Sequence, residues 1–339
     1  MSTVLFSIII PGYNRVEPLK YTLCSAAAAI ANLPGSAEII LVDDGSEPPL
    51  TAQLNAFKTN ATLRHVRQTN QGSIAARLTG LQLAEGVCIL FLDSDDLIHP
   101  DKLVRHFAAM NATSADVVYD DLAVARLGPN HTADFSPSAS LPVAAEPADF
   151  FLRVQPAPHS PTYRRTYLQS ALASPTVKLD RRMDPAGDVW LYYNLARHPA
   201  RIVKIDAALT ATGPHDDARY SQHWENLGVA ALLIAESFMA GCSTELPGSA
   251  SARRAAGEAA FRSWRRLPRG FSSSYARRLL ALWQQAPHGP NKNLGGPFFR
   301  FLAAFLGSTL AGRLLRLRNH TYASCRTLAD DELSRLLPS

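Results

Sequence analysis

The 339-residue sequence contains no uninterrupted apolar run approaching about 20 residues, so no membrane-spanning helix is expected. Cysteine is scarce. Cys24, Cys88, Cys242 and Cys325 lie far apart and form no CxxC pair. That excludes a disulfide framework and a zinc site of the usual spacing, and the four read as reduced thiols. No strand leads into a GxGxxG turn or a P-loop, which sets aside NAD and ATP enzymes. There are no internal repeats. No basic segment with a cleavage site precedes the first apolar strand, so no signal peptide and a cytoplasmic location are expected. Asn60, Asn111, Asn130 and Asn319 each open an Asn-x-Thr sequon and then count as chance matches. Acidic residues are nearly missing from one long stretch. Residues 252–320 hold thirteen Lys/Arg and a single carboxylate, Glu258, a local charge of +12 that leaves the rest at −7 within a total of +5. No aromatic-interleaved recognition motif accompanies that charge, so nucleic acid is not an expected partner.

Apolar residues make up 47% of the chain, ordinary for a globular protein. They concentrate in three short runs that each end in a polar turn. Ser7-Ile8-Ile9-Ile10 enters Pro11-Gly12-Tyr13-Asn14. Glu38-Ile39-Ile40-Leu41-Val42 enters Asp43-Asp44-Gly45-Ser46. Cys88-Ile89-Leu90-Phe91-Leu92 enters Asp93-Ser94-Asp95-Asp96. Runs without polar alternation predict strands buried on both faces, as in a parallel sheet. Parallel strands end on one edge, where open α/β sheets bind ligands. Five Asp carboxylates and Asn14 would then converge there. Like charges repel and resist desolvation, so such a cluster implies a divalent cation and a polar ligand.

Between these strands the spacing predicts helices. Residues 18–33 carry Pro18 in the first turn and Leu19, Leu23, Ile30 and Leu33 on one face, and Pro34-Gly35 ends them. Residues 50–58 read as a short helix and 63–66 as a short strand. A helix bearing Ile74, Leu78 and Leu81 follows Asn70-Gln71-Gly72-Ser73 and stops at Gly86, and another runs from Pro100 to about Asn111. The β-α-β-α-β-α-β order indicates a doubly wound α/β fold. Val117-Val118-Tyr119 reads as a further strand. Residues 128–147, rich in Pro, Ser and Ala, read as a long loop and a candidate lid. From Trp224 the pattern is helical, with breaks at 247–248, 268–270 and 287–296.

The ordered clusters SIIIPGYN (7–14), Asp43-Asp44-Gly45-Ser46, Asn70/Gly72/Ala76/Arg77/Gly80 and Asp93-Ser94-Asp95 resemble the inverting family 2 glycosyltransferases of the GT-A fold. Four matches in order over about 90 residues are far more specific than any one alone. The likeness is looser at Tyr163-Arg164-Arg165 and at Gly187-Asp188, where Gly187 replaces the family's usual Glu. It extends to about residue 222. It implies a GT-A domain over 1–222, with a nucleotide-sugar half (1–100) and an acceptor half (101–222). Residues 223–339 then form a basic, helical C-terminal region.

The resemblance implies transfer of a sugar from a nucleotide-diphosphate donor, UDP-linked by expectation, to a hydroxyl of a glycan or lipid-linked glycan. Pro11, Tyr13, Asn14, Asp43, Asp44, Asn70, Gly72, Arg77, Asp93 and Ser94 are the implied donor-binding residues. Asp95, Asp93 and His215 are the implied holders of Mn²⁺ or Mg²⁺, and Asp188 the implied base. Bland alternatives stand beside these roles. The Asp-Ser-Asp-Asp turn could cap a helix, Asp44 could shape a turn, Tyr13 could be half-buried packing, and His215 could be a loop residue. Asp188 could cap its helix, with Asp184 as rival base. Two other functions remain open. One is a haloacid-dehalogenase-like phosphatase with Asp93 as nucleophile, and the other a non-catalytic sugar-nucleotide-binding module, which Gly187 would suit. Phe298-Phe299-Arg300-Phe301-Leu302, the apolar stretch to Leu310 and the Arg-Leu run to Arg318 read either as an appendage with solvated Arg faces or as an interfacial helix, 297–318, on an anionic membrane surface. The second reading places the protein peripherally on the inner face of the cytoplasmic membrane.

Overall fold

A computed structural model describes residues 3–55, 57, 60–213 and 223–336. The chain divides into two compact units. The first holds residues 1–150, 154–174 and 200–217, the second 151–153, 175–199 and 218–339. The linear division at 222/223 is therefore interleaved: residues 175–199 pack with the C-terminal helices.

The first unit is built on β1 (Val4–Gly12), β2 (Ser36–Asp43), β3 (Thr62–Arg67) and β4 (Cys88–Phe91), which run parallel in the order β3-β2-β1-β4. Helices α1 (Glu17–Ala31), α2 (Leu50–Gln53) and α3 (Ser73–Leu83) connect them. Phe6, Ile8 and Ile10 pack in one cluster with Leu19 and Leu23 of α1 and with Leu103 and Met110 of α4 (Lys102–Thr113). Alternate residues face the other way, where Gly80 of α3 lies against the Ile9 side chain. Helices on both faces explain the uninterrupted apolar runs, and each fully buried Ile or Leu contributes roughly 1.5–3 kcal/mol. A buried polar lock holds the far edge of the sheet. Ser7 Oγ donates to Glu38 Oε1 at 2.6 Å, and the Glu85 and Gly86 N–H groups donate to Glu38 Oε1 (2.9 Å) and Ser7 Oγ (2.8 Å).

Beyond β4 the sheet becomes mixed. Its remaining strands are β5 (Leu97–Ile98), β6 (Val117–Leu127), β7 (Ala133–Ala139), β8 (Thr162–Arg164) and β9 (Ile202–Thr212). The order continues β4-β8-β6-β9-β5, with β8 antiparallel to β4 and β6, and β9 parallel to β6. The expected long loop at 128–147 contains β7, which folds back antiparallel on β6. β7 lies off the main strand path and pairs β6, so Pro137, which lacks an N–H, is accommodated there. Short helix α5 (Pro147–Asp149) and helix α6 (Arg165–Leu172) complete this unit.

The second unit is helical: α7 (Gly187–Leu195), α8 (Trp224–Gly241), α9 (Ser249–Arg266), α10 (Ser273–Gln285), α11 (Pro297–Leu306), α12 (Ser308–Arg316) and α13 (Asp330–Leu336). α9 buries Ala252, Ala255, Ala256, Ala260, Phe261 and Trp264. Glu258, the carboxylate inside the basic region, is fully buried. It accepts from Arg153 Nε at 2.9 Å and Asn293 Nδ2 at 3.2 Å, which compensates its charge. The apolar stretch expected as one helix over 297–318 is two helices, broken at Gly307.

Candidate functional site

The parallel register sets the site. Gly12 is level with Asp43, and Ile9 with Phe91, so the turns after β1, β2 and β4 leave the sheet on one edge. They are stitched together by their own polar groups. The Asn14 N–H donates to Ser46 Oγ at 3.0 Å, and Asn14 Oδ1 accepts from the Glu47 N–H at 2.8 Å. Asp43 is buried, and its two oxygens accept from the Ser46 N–H (2.8 Å) and the Leu50 N–H (2.9 Å). Asp44 reaches across to the next loop. Oδ1 accepts from Gln68 Nε2 and the Gln71 N–H, Oδ2 from the Gly72 N–H, each at 2.8 Å. Gly72 has φ +97°, a conformation a side chain would strain, and stands at the N-cap of α3. Asp44 thus fixes the start of the helix that carries Arg77. Pro11 is buried within β1. Tyr13 is 52% exposed beyond its end, and Asn70 is exposed beside Gly72.

The turn after β4 divides its carboxylates between two environments. Asp93 Oδ1 pairs with Arg77 Nη2 at 2.5 Å, and Asp95 Oδ2 pairs with Arg15 Nη1. Ser94 is buried between them. Asp96 turns inward. Its Oδ1 accepts from the Gly213 N–H at 3.0 Å, and its Oδ2 lies 3.1 Å from His159 Nδ1, a close contact outside hydrogen-bond geometry. Burial pushes the Asp96 carboxyl up, opposed by His159 and reinforced by the charges of Asp93 and Asp95. This edge therefore presents carboxylates and guanidinium groups together, with Arg77 largely buried.

Among the described residues, no group of three or more His, Cys, Asp or Glu side chains is placed to hold a metal ion. Asp93 and Asp95 nevertheless suit a hard cation that draws most of its oxygen ligands from a bound diphosphate, as Mg²⁺ commonly does. They do not suit an all-protein cage. His215 lies outside the described residues.

In the second unit, Asp188 occupies the first turn of α7 and is half-buried. The N-cap is Ala186, so Asp188 is not the capping residue, and a carboxylate in a first turn gains from the helix dipole. Asp184, in the short 3₁₀ turn Arg181–Ala186, is buried. Gly187 is buried at the start of α7.

Arg15 and His159 escaped sequence reasoning because each meets its carboxylate only through the fold. Arg15 directly follows Asn14, the one local hint. A third cluster, Lys102, His106 and Asp120, was equally silent. All three are fully buried. Lys102 Nζ pairs with Asp120 and donates to the Ser160 carbonyl (2.8 Å) and Thr210 Oγ1 (2.9 Å). His106 joins Asp120 Oδ2 at 2.8 Å and Thr162 Oγ1 at 2.9 Å. This network ties α4, β6, β8 and β9 together.

Residues 7–174 match the family model "Glycosyl transferase family 2". Through this segment the chain belongs to glycosyl transferase family 2. Curated relatives share parts of it. An uncharacterized glycosyltransferase of Haemophilus influenzae is 38% identical over 113 residues, 32% of this chain and 44% of that protein. A PGL/p-HBAD biosynthesis glycosyltransferase of Mycobacterium tuberculosis is 36% identical over 126 residues, 36% of this chain and 48% of that protein. An uncharacterized glycosyltransferase of Rickettsia felis is 34% identical over 97 residues, 29% of this chain and 16% of that protein. The chain thus spans less than half the length of these relatives. Among solved structures, S. aureus TarS 1–349 superposes with TM-score 0.61 at 18% identity, covering 96% of this chain and 93% of that one. The same protein in complex with UDP-GlcNAc gives 0.60 at 17% identity, covering 96% and 93%. The likeness shows the GT-A fold expected of the family. The segment that a phosphatase reading would need, with Asp93 as nucleophile, lies inside the family 2 match.

Proposed function

We propose that this chain transfers a sugar from a UDP-linked donor to a hydroxyl of a glycan or lipid-linked glycan, with inversion at the anomeric carbon. The observation that carries this reading is the β1–β2–β4 edge. Two carboxylates and two guanidinium groups meet there on one sheet edge, within a segment of family 2. TarS, which shares the fold, has been solved with UDP-GlcNAc and with UDP.

The chemistry has two needs. The departing diphosphate must be neutralised, and the acceptor hydroxyl must lose its proton as it attacks. Mn²⁺ or Mg²⁺ bound beside Asp93 and Asp95 would supply positive charge to the diphosphate oxygens. Arg77 and Arg15 supply fixed positive charge at the same edge, and as Arg they present forked donors suited to phosphate oxygens. Asp43 and Asp44 hold the loops on which base and ribose would rest. Both Asp43 oxygens and Asp44 Oδ2 accept one hydrogen bond each and keep a second lone pair for a ribose hydroxyl or a uracil N–H, whereas Asp44 Oδ1 already accepts two. Tyr13 offers an exposed ring as a wall for the base, and Asn14, Asn70, Gly72 and Ser94 line the same loops. Asp188 is the base in this reading. It is more accessible than buried Asp184, and its carboxylate can accept the acceptor hydroxyl's proton.

The test is a thermal-shift panel of UDP-, GDP- and dTDP-sugars with and without Mn²⁺. A ligand that binds the folded state at 100 times its Kd adds about 2.7 kcal/mol of stability. UDP-sugars with Mn²⁺ should raise Tm most. No shift with any sugar nucleotide would reject donor binding. Gly187, buried where the family carries Glu, favours one second reading: a binding module without turnover. Donor binding with neither transfer nor hydrolysis would establish it.

A further inference from the structure

We propose that the α11–α12 hairpin is a docking surface for an anionic lipid bilayer. The two helices meet at Gly307, whose φ of +76° turns the chain between them. Their inner faces are anchored on α9. Phe299, Ala303, Ala311 and Gly312 are buried. The Phe299 ring lies 5.9 Å from that of Phe261, with the Arg265 guanidinium 4.6 Å over it. Gly312 sits against the Trp264 ring, which the Arg316 guanidinium also covers at 5.0 Å. The hairpin is therefore held to the body of its unit by its small and aromatic inner residues.

Among the described residues, the outer face has no such cover. Phe298, Phe301 and Phe305 are 56%, 62% and 76% exposed, and Leu310, Leu314 and Leu317 are 47%, 43% and 67% exposed. Both sets follow helical spacing, i, i+3, i+7 on α11 and i, i+4, i+7 continuing from α12. Each forms one stripe. Phe301 and Phe305 meet edge-on at 5.1 Å, which joins two of the exposed rings into one aromatic ridge. An exposed ridge this large marks an interaction site.

The charge around the ridge selects its occupant. Arg300, Arg313 and Arg318 are exposed in the same segment, with Lys292 close in sequence, and no Asp or Glu occurs between residues 259 and 329. A second copy docking face to face would bring these cations against each other, where like charges disfavour association. An anionic bilayer matches both properties: phospholipid headgroups pair with the arginines while the Phe and Leu side chains enter the acyl boundary. Neither helix is long and apolar enough to cross a membrane, so the hairpin lies on the surface. This inference stands apart from the donor chemistry proposed above.

The test is co-sedimentation of the full chain with vesicles of phosphatidylcholine alone or mixed with phosphatidylglycerol. Binding should require phosphatidylglycerol. It should weaken from 0.1 to 1 M salt as the Debye length falls from about 10 Å to about 3 Å. The variant Phe298→Ser/Phe301→Ser/Phe305→Ser should lose at least about tenfold in partitioning. Arg300→Gln/Arg313→Gln/Arg318→Gln should lose roughly fivefold per residue and most of the salt dependence. These side chains are exposed, so circular dichroism and Tm of both variants should match the parent. Absence of parental binding to phosphatidylglycerol vesicles at low salt would overturn the proposal. So would unchanged binding by both variants. Sedimentation velocity in which the Phe variant dissociates a parental dimer while keeping vesicle binding would assign the face to a second copy instead.

Discussion

Arg77 Nη2 and Asp93 Oδ1 lie 2.5 Å apart, joining the first helix after the Asn-Gln-Gly loop to the Asp-Ser-Asp turn. The guanidinium is largely buried and the carboxylate partly open, so the pair is both a strut and a charged surface facing the sheet edge.

Arg77→Ala should therefore do two things at once. It leaves Asp93 without its guanidinium partner, a loss of about 1.5–3 kcal/mol for a hydrogen bond to a charged group. It also removes a phosphate-directed donor, so UDP should bind more weakly. Urea unfolding reads the first effect and calorimetry the second. A variant with parental stability and parental UDP affinity would remove Arg77 from both roles.

Asp44→Ala should cost more than an ordinary surface change. It leaves the Gln71 and Gly72 N–H groups and the Gln68 amide without their acceptor. Each unsatisfied donor shielded from water costs roughly 1–3 kcal/mol. The start of α3 should loosen, which faster amide exchange at Gly72 and Ser73 would report. Protection equal to the parent's would show that the loop does not depend on this carboxylate.

Acidification should weaken the first unit through His106. Burial and the neighbouring Lys102 charge push its pKa down to about 4 from an ordinary 6.5, against the opposing pull of Asp120. The unfolded chain then takes up this proton first as pH falls through about 6.5, and the folded state follows only near pH 4. Stability is present above 6.5 and is lost between 6.5 and 4, on the order of 2 kcal/mol by pH 5. Urea titrations at pH 7 and pH 5 should show that loss in the parent and a smaller one in His106→Gln. An equal loss in both would place the acid sensitivity elsewhere.

Asp188→Asn should leave UDP-sugar affinity unchanged while lowering kcat by about 10²–10⁴, the usual contribution of a positioned base. Calorimetry and initial rates separate the two. Near-parental turnover would exclude Asp188 as the base.

The sheet edge that gathers these turns is legible in the sequence because its strands are buried on both faces and end in turns whose residues are chemically distinctive. Register then forces those turns onto one edge. What the turn residues touch is not legible. Asp44 could be read as part of a local turn, yet its partners come from residues 68–72, and Arg15 finds Asp95 80 residues along the chain. The Lys102 cluster draws on Asp120, Ser160 and Thr210, separated from it by 18, 58 and 108 residues. β7 hides because Ala, Ser and Pro carry little strand preference, and an edge position asks for little. The break in the apolar stretch at Gly307 hides for a different reason. A single glycine is tolerated in a helix, and only packing on α9 decides that the chain turns there.

In the proposed function the Asp93–Asp95 turn binds a nucleoside diphosphate with help from a divalent cation. Calorimetric titration of UDP into the parent and into Asp95→Ala, with and without Mn²⁺, tests it most directly. Mn²⁺ should strengthen UDP binding in the parent, and Asp95→Ala should abolish that gain while circular dichroism shows that the variant is still folded. Mn²⁺-enhanced affinity that survives in Asp95→Ala, or no UDP binding by the parent, would contradict it.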